Sequence, residues 1–437
     1  MKIIILGGGF GGLKLADKLD GKRDFEVLLI DRFNYHQFQP LFYQVATAGL
    51  DASNISFPLR KAFHDSKNVR IRLAEVIEIQ KEKRTIITSE GEYVYDLLVI
   101  AMGAETNFFG NEQISANAWP MKSTVEALRI RHHLIQTFEN ALEEKDPQKL
   151  KALLTIVIVG GGPTGVELAG AIAEMKRWVL PKDYPELDFS QMNIYLIEGL
   201  AKVLAVMSEQ SSEQSLKYLT DLGVKVLTNT MVQDYDGQVI RFKDGNTITT
   251  STVIWAAGIK GNVPFGIPAE SVVKGNRIRV DVYNKVMGMD DIYAIGDIAY
   301  METEAYSKGH PQVAPVAISQ ANLLSKNLIA LQKGKLPEKF EYHDKGSMAT
   351  VGRHRAVADI PKKIHLKGFL AWLAWMLLHL MQILGVKNRI VIFVNWMYSY
   401  ITYDQSLRLI FREFSKPSDL LKPDQLVKNK QAPVESA

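Results

Sequence analysis

Residues 2–12 read KIIILGGGFGG, five residues suited to a buried strand followed by glycines at 7, 9 and 12 in the spacing G-x-G-x-x-G. Each glycine answers a separate need. Gly7 permits a tight turn out of the strand, Gly9 lets a pyrophosphate approach the backbone, and Gly12 lets the next helix pack closely on the strand. The helix N-terminus, with its free N–H groups, then faces the phosphates. The following strand, EVLLID, ends in Asp31, 19 residues after Gly12, where an acid accepts hydrogen bonds from a ribose. A glycine-rich turn without a ligand is the alternative for such a motif standing alone. Strand, helix and acid in register favour a dinucleotide.

The pattern returns. LLTIVIVGGGPTGVELAGAIAEM places Gly160, Gly162 and Gly165 between a strand and a helix starting near Val166. Its acid is Glu198, 33 residues on, and an apparent insertion, RWVLPKDYPELDFSQMN, accounts for the excess over the usual spacing. An acid there favours a free 2′-hydroxyl, hence NADH over NADPH, unless it is an ordinary strand-end carboxylate. YDLLVIAMGAETN and STVIWAAGIKGN each read as a buried strand ending in a glycine turn, at Gly103 and Gly258. DDIYAIGDIA adds a strand, Gly296 and Asp297, a turn able to set a carboxylate beside a ribityl chain.

Over roughly residues 1–330 this architecture resembles the two-dinucleotide flavoproteins of the glutathione-reductase fold. The resemblance, beyond what spacing gives, implies FAD at the first loop and NADH at the second. The predicted fold is α/β, with two Rossmann-like domains and a C-terminal membrane-associating helical segment. The expected division is an FAD domain split over 1–115 and 265–330, an NADH domain at 116–264, and a C-terminal membrane-binding region at 331–437.

At 437 residues and 47% hydrophobic, the chain is expected to hold two or three domains with sizeable cores. It has no cysteine, which excludes disulfides, thiolate metal sites, Cys-ligated iron–sulfur clusters and redox-active thiol pairs. Nine histidines show no ligand spacing, His132 and His133 being assigned to a polar helix, so no metal is expected. No signal peptide is visible, which predicts a protein kept on the cytoplasmic side. The net charge of +4 belongs to the tail: residues 361–437 carry an excess of six positive charges. The body offers no basic run with interleaved aromatics, which argues against nucleic acid.

The tail contains GFLAWLAWMLLHLMQILGV, residues 368–386, apolar apart from His379 and Gln382. Its core at 369–384 has 16 residues. As a helix it would be roughly 24 Å long at about 1.5 Å per residue, short of the ~30 Å hydrocarbon layer. A second run, IVIFVNWMYSYITY, is interrupted by Asn395 and Ser399. Trp372, Trp375, Trp396, Tyr398, Tyr400 and Tyr403 are interfacial residue types, and Lys362, Lys363, Lys367, Arg408 and Arg412 flank them, suited to anionic lipid. Two helices lying in one leaflet are expected; a spanning hairpin and a buried dimer face are the alternatives. The two nucleotide domains are expected to fold without the segment beyond about Asp359.

NYHQFQPLFYQVATAGL, VGGGPTGVELAGAIAEM, KGSMATVGRHRAVA and the tail GFLAWLAWMLLHLMQILGVKNRIVIFVNWMYSYITYDQSLRLI together resemble the type II NADH:quinone oxidoreductases, from Met1 to about Phe411. That resemblance implies a peripheral, monotopic flavoenzyme on the cytoplasmic face of the membrane, a homodimer, passing electrons from NADH through FAD to ubiquinone or menaquinone without pumping protons. It assigns Gly7, Gly8, Gly9, Phe10, Gly11, Gly12, Asp31, Arg32, Val76, Gly103 and Asp297 to FAD. Pro40, Gln44, Ala317 and Ile318 would lie nearest its ring. Gly160, Gly162, Gly165, Glu198 and Gly258 fall to NADH. Glu167 matches the family's carboxylate between nicotinamide, flavin and quinone; a helix-end acid favoured by the dipole is the alternative, an effect of about 0.3–1 kcal/mol. Gln44, Ser319 and Gln320 would face the quinone. Here the chain departs from the family: APVAISQA carries Ser319 in place of the first of the usual paired glutamines. Rival readings are a soluble NADH:ferredoxin or diaphorase-type reductase with a dimerising tail, and a non-enzymatic membrane-tethered nucleotide sensor.

Overall fold

The computed structural model describes residues 1–361, 364–405 and 407–410. Two five-stranded parallel sheets organise the body. In the first, Lys2–Leu6 is central, with Glu26–Asp31 and then Val69–Leu73 on one side, Leu97–Ile100 and then Ile292–Ala294 on the other. Ile3, Ile4, Ile5 and Leu6 are fully buried, as a strand covered on both faces requires. The helix Phe10–Leu19 packs against Ala314–Gln332 on one face. A strand nearly 200 residues further along the chain than its neighbour thus completes the sheet of the first glycine loop.

The second sheet repeats the arrangement: Thr155–Val159 is central, flanked by Asn193–Ile197 and Lys225–Leu227, and by Thr252–Trp255 and Trp119–Pro120. The insertion before Glu198 continues the helix Pro163–Glu174 through a π turn, Met175–Val179, then Leu180–Asp183, and buries Val179, Leu180 and Phe189. Ala104–Thr106 pairs antiparallel with Ile259–Gly261 where the chain crosses between the two sheets. His133, expected on a polar face, instead stacks on Trp119 with ring centroids 4.5 Å apart and bonds Thr252 Oγ1 at 2.9 Å. The helix Thr124–Glu143 turns that face towards the second sheet.

A three-stranded antiparallel sheet, Ser347–Thr350, Ala356–Ile360 and Ile364–Lys367, leads into two tail helices, Gly368–Gln382 and Val386–Thr402. Gly385, with φ +84°, makes the turn between them against the Phe57 ring. Among the described residues no helix is long and apolar enough to cross a membrane.

The tail is no appendage. Trp375, Met376, Ile383, Ile392 and Trp396 belong to the same buried cluster as Phe38, Leu41, Phe42, Val166 and Ile172. Trp375 and Trp396 are therefore core residues, 2% and 9% exposed, and do not form an interfacial belt. Arg408, expected to face lipid, pairs with Asp183 and Asp404. Lys362, Lys363 and Arg412 lie outside the described residues.

Candidate active site

The two glycine loops are built alike. A Cβ on Gly12 would fall 1.9 Å from Gly7 O, and one on Gly165 would fall 1.9 Å from Gly160 O, so helix and turn touch backbone to backbone. Gly7 and Gly160 hold φ +101° and +112°, open to glycine and strained for other residues. Gly9 and Gly162, the two N-caps, would meet nothing within 4 Å if a Cβ were added, and neither helix has a side-chain cap or a first-turn acid. Uncapped N–H groups facing open space suit a diphosphate, so both cradles fit a dinucleotide.

The acids close the loops from outside. Asp31 Oδ2 accepts from Gly8 N at 2.5 Å and Oδ1 from Phe33 N at 2.7 Å. Glu198 Oε2 accepts from Gly161 N at 2.6 Å and Oε1 from Leu200 N at 2.7 Å. An ionised carboxylate has about four lone-pair positions, which leaves room for a ribose hydroxyl. Burial raises the Asp31 carboxyl above its ordinary range, against the two backbone donors.

Around the first loop, a Cβ on Gly11 would meet Ile295 at 3.3 Å and Ala317 O at 3.5 Å, and one on Gly296 would meet the Ala317 methyl at 3.3 Å. Asp297 lies 3.5 Å from Lys122 Nζ, which also donates to Gln39 Oε1 at 3.1 Å. Pro40 stands in the short 3-10 turn Gln39–Leu41. Ile318 is half-buried, Val76 packs against the core cluster that includes Ile4, Leu6 and Ile30, and exposed Arg32 covers the Phe33 ring at 5.1 Å. Gly103 (φ +68°) opens to space, whereas Gly258 (φ +97°) has the Phe109 ring 3.1 Å from its Cβ position.

Ser319 and Gln320 do not join Gln44. Gln320 is 1% exposed and its Oε1 accepts from Gly296 N at 2.7 Å, pinning the turn that carries Asp297. Ser319 lines a surface pocket with Leu323, Glu338 and Phe340. Gln320, three residues after Ala317, shares with it the side of the helix that meets the Gly296 turn, while Ser319 lies on another side.

Glu167 is 7% exposed, and its Oε1 accepts from Thr350 N at 3.3 Å. The nearby Thr350 and Trp375 side chains also favour its charged form, yet burial outweighs them and pushes the carboxyl up to about 8. From there a polar chain runs outward. Thr350 Oγ1 lies 3.0 Å from the Tyr43 hydroxyl, Gln44 Nε2 donates to that hydroxyl at 2.9 Å, and Trp396 Nε1 donates to Gln44 Oε1 at 2.8 Å. Burial, then Glu167, holds the Tyr43 phenol far above its ordinary range, so it stays neutral. His379 stacks on Trp375 at 4.1 Å and Phe38 edges onto His379 at 6.2 Å. Tyr43, Gln44, Trp372, Trp375, Met376 and Trp396 line one cavity of about 90 Å³ between body and tail. The sequence reading missed Tyr43, Thr350, Trp375 and Trp396 as site residues; only the motifs containing them drew attention.

Residues 1–321 match the pyridine nucleotide-disulphide oxidoreductase family and 344–402 match the NDH2 C-terminal domain. A type II NADH:quinone oxidoreductase of Mycobacterium tuberculosis is 33% identical over 416 residues, covering 92% of this chain and 88% of the relative. One from Haemophilus influenzae is 29% identical over 388 residues, covering 83% and 87%. The solved NDH2 from Plasmodium falciparum in complex with NADH aligns at TM-score 0.85 and 23% identity, covering 94% of this chain and 99% of that one.

Proposed function

The chain belongs to the pyridine nucleotide-disulphide oxidoreductase family and, within it, to the type II NADH:quinone oxidoreductases, and on that premise we propose which of its residues serve each half of the reaction. It oxidises NADH and passes the electrons through FAD to a quinone. FAD supplies the chemistry of accepting a hydride and giving up its electrons afterwards. The first loop, with Gly9 and Asp31, holds FAD, and the second, with Gly162 and Glu198, holds NADH. Asp297, set by Gln320 through Gly296, serves the ribityl side. The domain division 1–115 with 265–330, 116–264, and 331–437 follows the same assignment.

The observation that carries the reading of the acceptor side is the polar chain from Glu167 through Thr350, Tyr43 and Gln44 to Trp396. It ties the second glycine helix to a tail helix whose outer face is apolar. Leu370, Met381, Ile390 and Ile401 are 66%, 65%, 58% and 76% exposed. An exposed band of this kind marks a lipid or protein contact. With helices too short to span, it favours lying in one leaflet, on the cytoplasmic face, where a lipid-dissolved quinone is at hand. Exposed Lys367 and Lys387 suit anionic lipid, and a homodimer is what the family resemblance implies. Protonated Glu167 gives a proton towards the quinone oxygens, and neutral Tyr43 and Gln44 orient the head group. Steady-state NADH oxidation with ubiquinone and menaquinone analogues, with the released flavin identified, tests this. Bound FAD without quinone turnover would overturn it in favour of a nucleotide sensor.

A further inference from the structure

Seven residues beyond Glu167, at the end of the same helix, Glu174 is a second carboxylate without a task in the function above. Positions i, i+3 and i+7 share one stripe of a helix, here Glu167, Gly170 and Glu174. The turn 350–353 crosses that stripe so closely that a Cβ on Gly170 would fall 2.6 Å from Gly352 N. Thr350 N donates to Glu167 on one side of the crossing, and Arg353 N to Glu174 on the other. Burial raises the Glu174 carboxyl above its ordinary range, against the pull of Arg353 and Arg355. Glu174, unlike Glu167, opens on the cavity between body and tail, together with Tyr43, Arg353, Tyr400 and Gln405. Tyr43 is common to both acids. It reaches Glu167 through the Thr350 hydroxyl, and both carboxylates oppose its ionisation.

The reaction needs such a route. NADH, quinone and one proton give NAD⁺ and quinol; the hydride carries two electrons and one hydrogen, and the second hydrogen must come from water. Resting on the assignment of Glu167 above, we infer that Glu174 is the uptake residue for that proton. It takes the proton at the cavity and passes it by way of the Tyr43 and Thr350 hydroxyls to Glu167, each O–H bond breaking as the next forms. Glu174 is reprotonated from water. The charged and titratable groups facing it are Arg353 from the turn, Arg355 just after it, Tyr43 from the short helix Phe42–Ala46, and Tyr400 from the tail. Arg353 is itself held over the Tyr403 ring at 4.1 Å and donates to Ser399 O.

Glu174→Gln keeps an acceptor for Arg353 N and removes the proton carrier. In the full-length flavin-loaded protein, NADH oxidation is followed with ferricyanide, which takes electrons only, and with a short-tailed ubiquinone, from pH 6 to 9. The expected result is an unchanged ferricyanide rate and a quinone kcat about 10- to 100-fold lower, with KM little altered and the loss growing as pH rises. In Glu174→Ala, formate or acetate restores part of the rate. A quinone kcat and pH profile equal to the parent's overturn the inference. So does a loss confined to KM, or one that neither varies with pH nor yields to small acids, since either marks a binding or packing role. Should Glu174→Gln lose its flavin, Glu174→Asp, which keeps the acid, is expected to retain most quinone turnover, and a loss there with normal ferricyanide activity overturns the inference too. A parent protein inactive with quinone would fail the function itself; an active parent with an insensitive variant fails only this step.

Discussion

Glu167 gains its use from being buried: a carboxyl lifted to about 8 still carries its proton at neutral pH and can give it up. The sign of the pH dependence follows. Below about 8 the acid form prevails, and above it the carboxylate does, so quinone-dependent reoxidation should fall as pH rises through that value while flavin bleaching by NADH does not. Glu167→Gln should slow reoxidation by about 10²-fold with FAD retained and should abolish that alkaline limb. Stopped-flow traces of both half-reactions decide it, and parent-like rates in both would leave Glu167 a helix-end acid. On the proposed assignment, Glu198 would act at the other substrate. Its two oxygens already accept from Gly161 N and Leu200 N, and on the proposed assignment the remaining lone pairs would accept from a 2′-hydroxyl and repel a 2′-phosphate. Glu198→Gln should raise relative kcat/KM for NADPH by about tenfold, which corresponds to about 1.4 kcal/mol of repulsion removed; an unchanged ratio would refute the assignment.

At the scale of elements, the helix Pro163–Glu174 and the turn 350–353 behave as one unit, because Gly170 lets the two backbones touch. Gly170→Ala forces a methyl 2.6 Å from Gly352 N, where neither partner is a flexible side chain. Overpacking of this kind costs about 1–3 kcal/mol, so a lower thermal midpoint is expected, together with slower quinone reduction as Thr350 and Arg353 shift from their carboxylates. The tail helices divide their duties by face. One side carries Trp375, Met376, Ile392 and Trp396 into the core, while Leu370, Met381, Ile390 and Ile401 stand outside. Charging the outer side alone, with Leu370→Glu, Met381→Glu and Ile390→Glu, should release the protein from liposomes without changing its ferricyanide activity. Liposome flotation reads the outcome, and retention on the vesicles would mean that this face is not the lipid contact.

For the whole molecule, what could be read in advance depended on how far apart the cooperating residues lie. The glycine loops are encoded locally, each in a dozen residues whose backbone geometry admits little else, and so the paired sheets were predictable. The surroundings of Glu167 are not local: Tyr43, Thr350, Trp375 and Trp396 come from four separate elements spread over more than 350 residues. No spacing links them. The resemblance could point to Gln44 without showing that its amide is already engaged by Tyr43 and Trp396. The same long-range closure revises the expectation that the nucleotide domains fold without the tail. Asp359 accepts from Ser208 N at 2.6 Å and from Ser211 Oγ at 2.6 Å, fastening the third sheet to the N-terminus of the helix Glu209–Asp221. Trp375, Met376, Ile392 and Trp396 then cover Phe38, Phe42 and Tyr43 in and beside the short helix Phe42–Ala46. Removing everything after residue 359 would bare those side chains, at roughly 1.5–3 kcal/mol for each large apolar group returned to water. That sum is comparable with the whole stability of a typical domain, about 5–15 kcal/mol. The truncated protein should therefore be recovered with little flavin, should unfold at lower urea concentration than the parent, and should lose ferricyanide reduction along with quinone reduction. A truncated form that kept FAD and parent-like ferricyanide turnover would show instead that the segment around Phe42–Ala46 holds its shape without the tail.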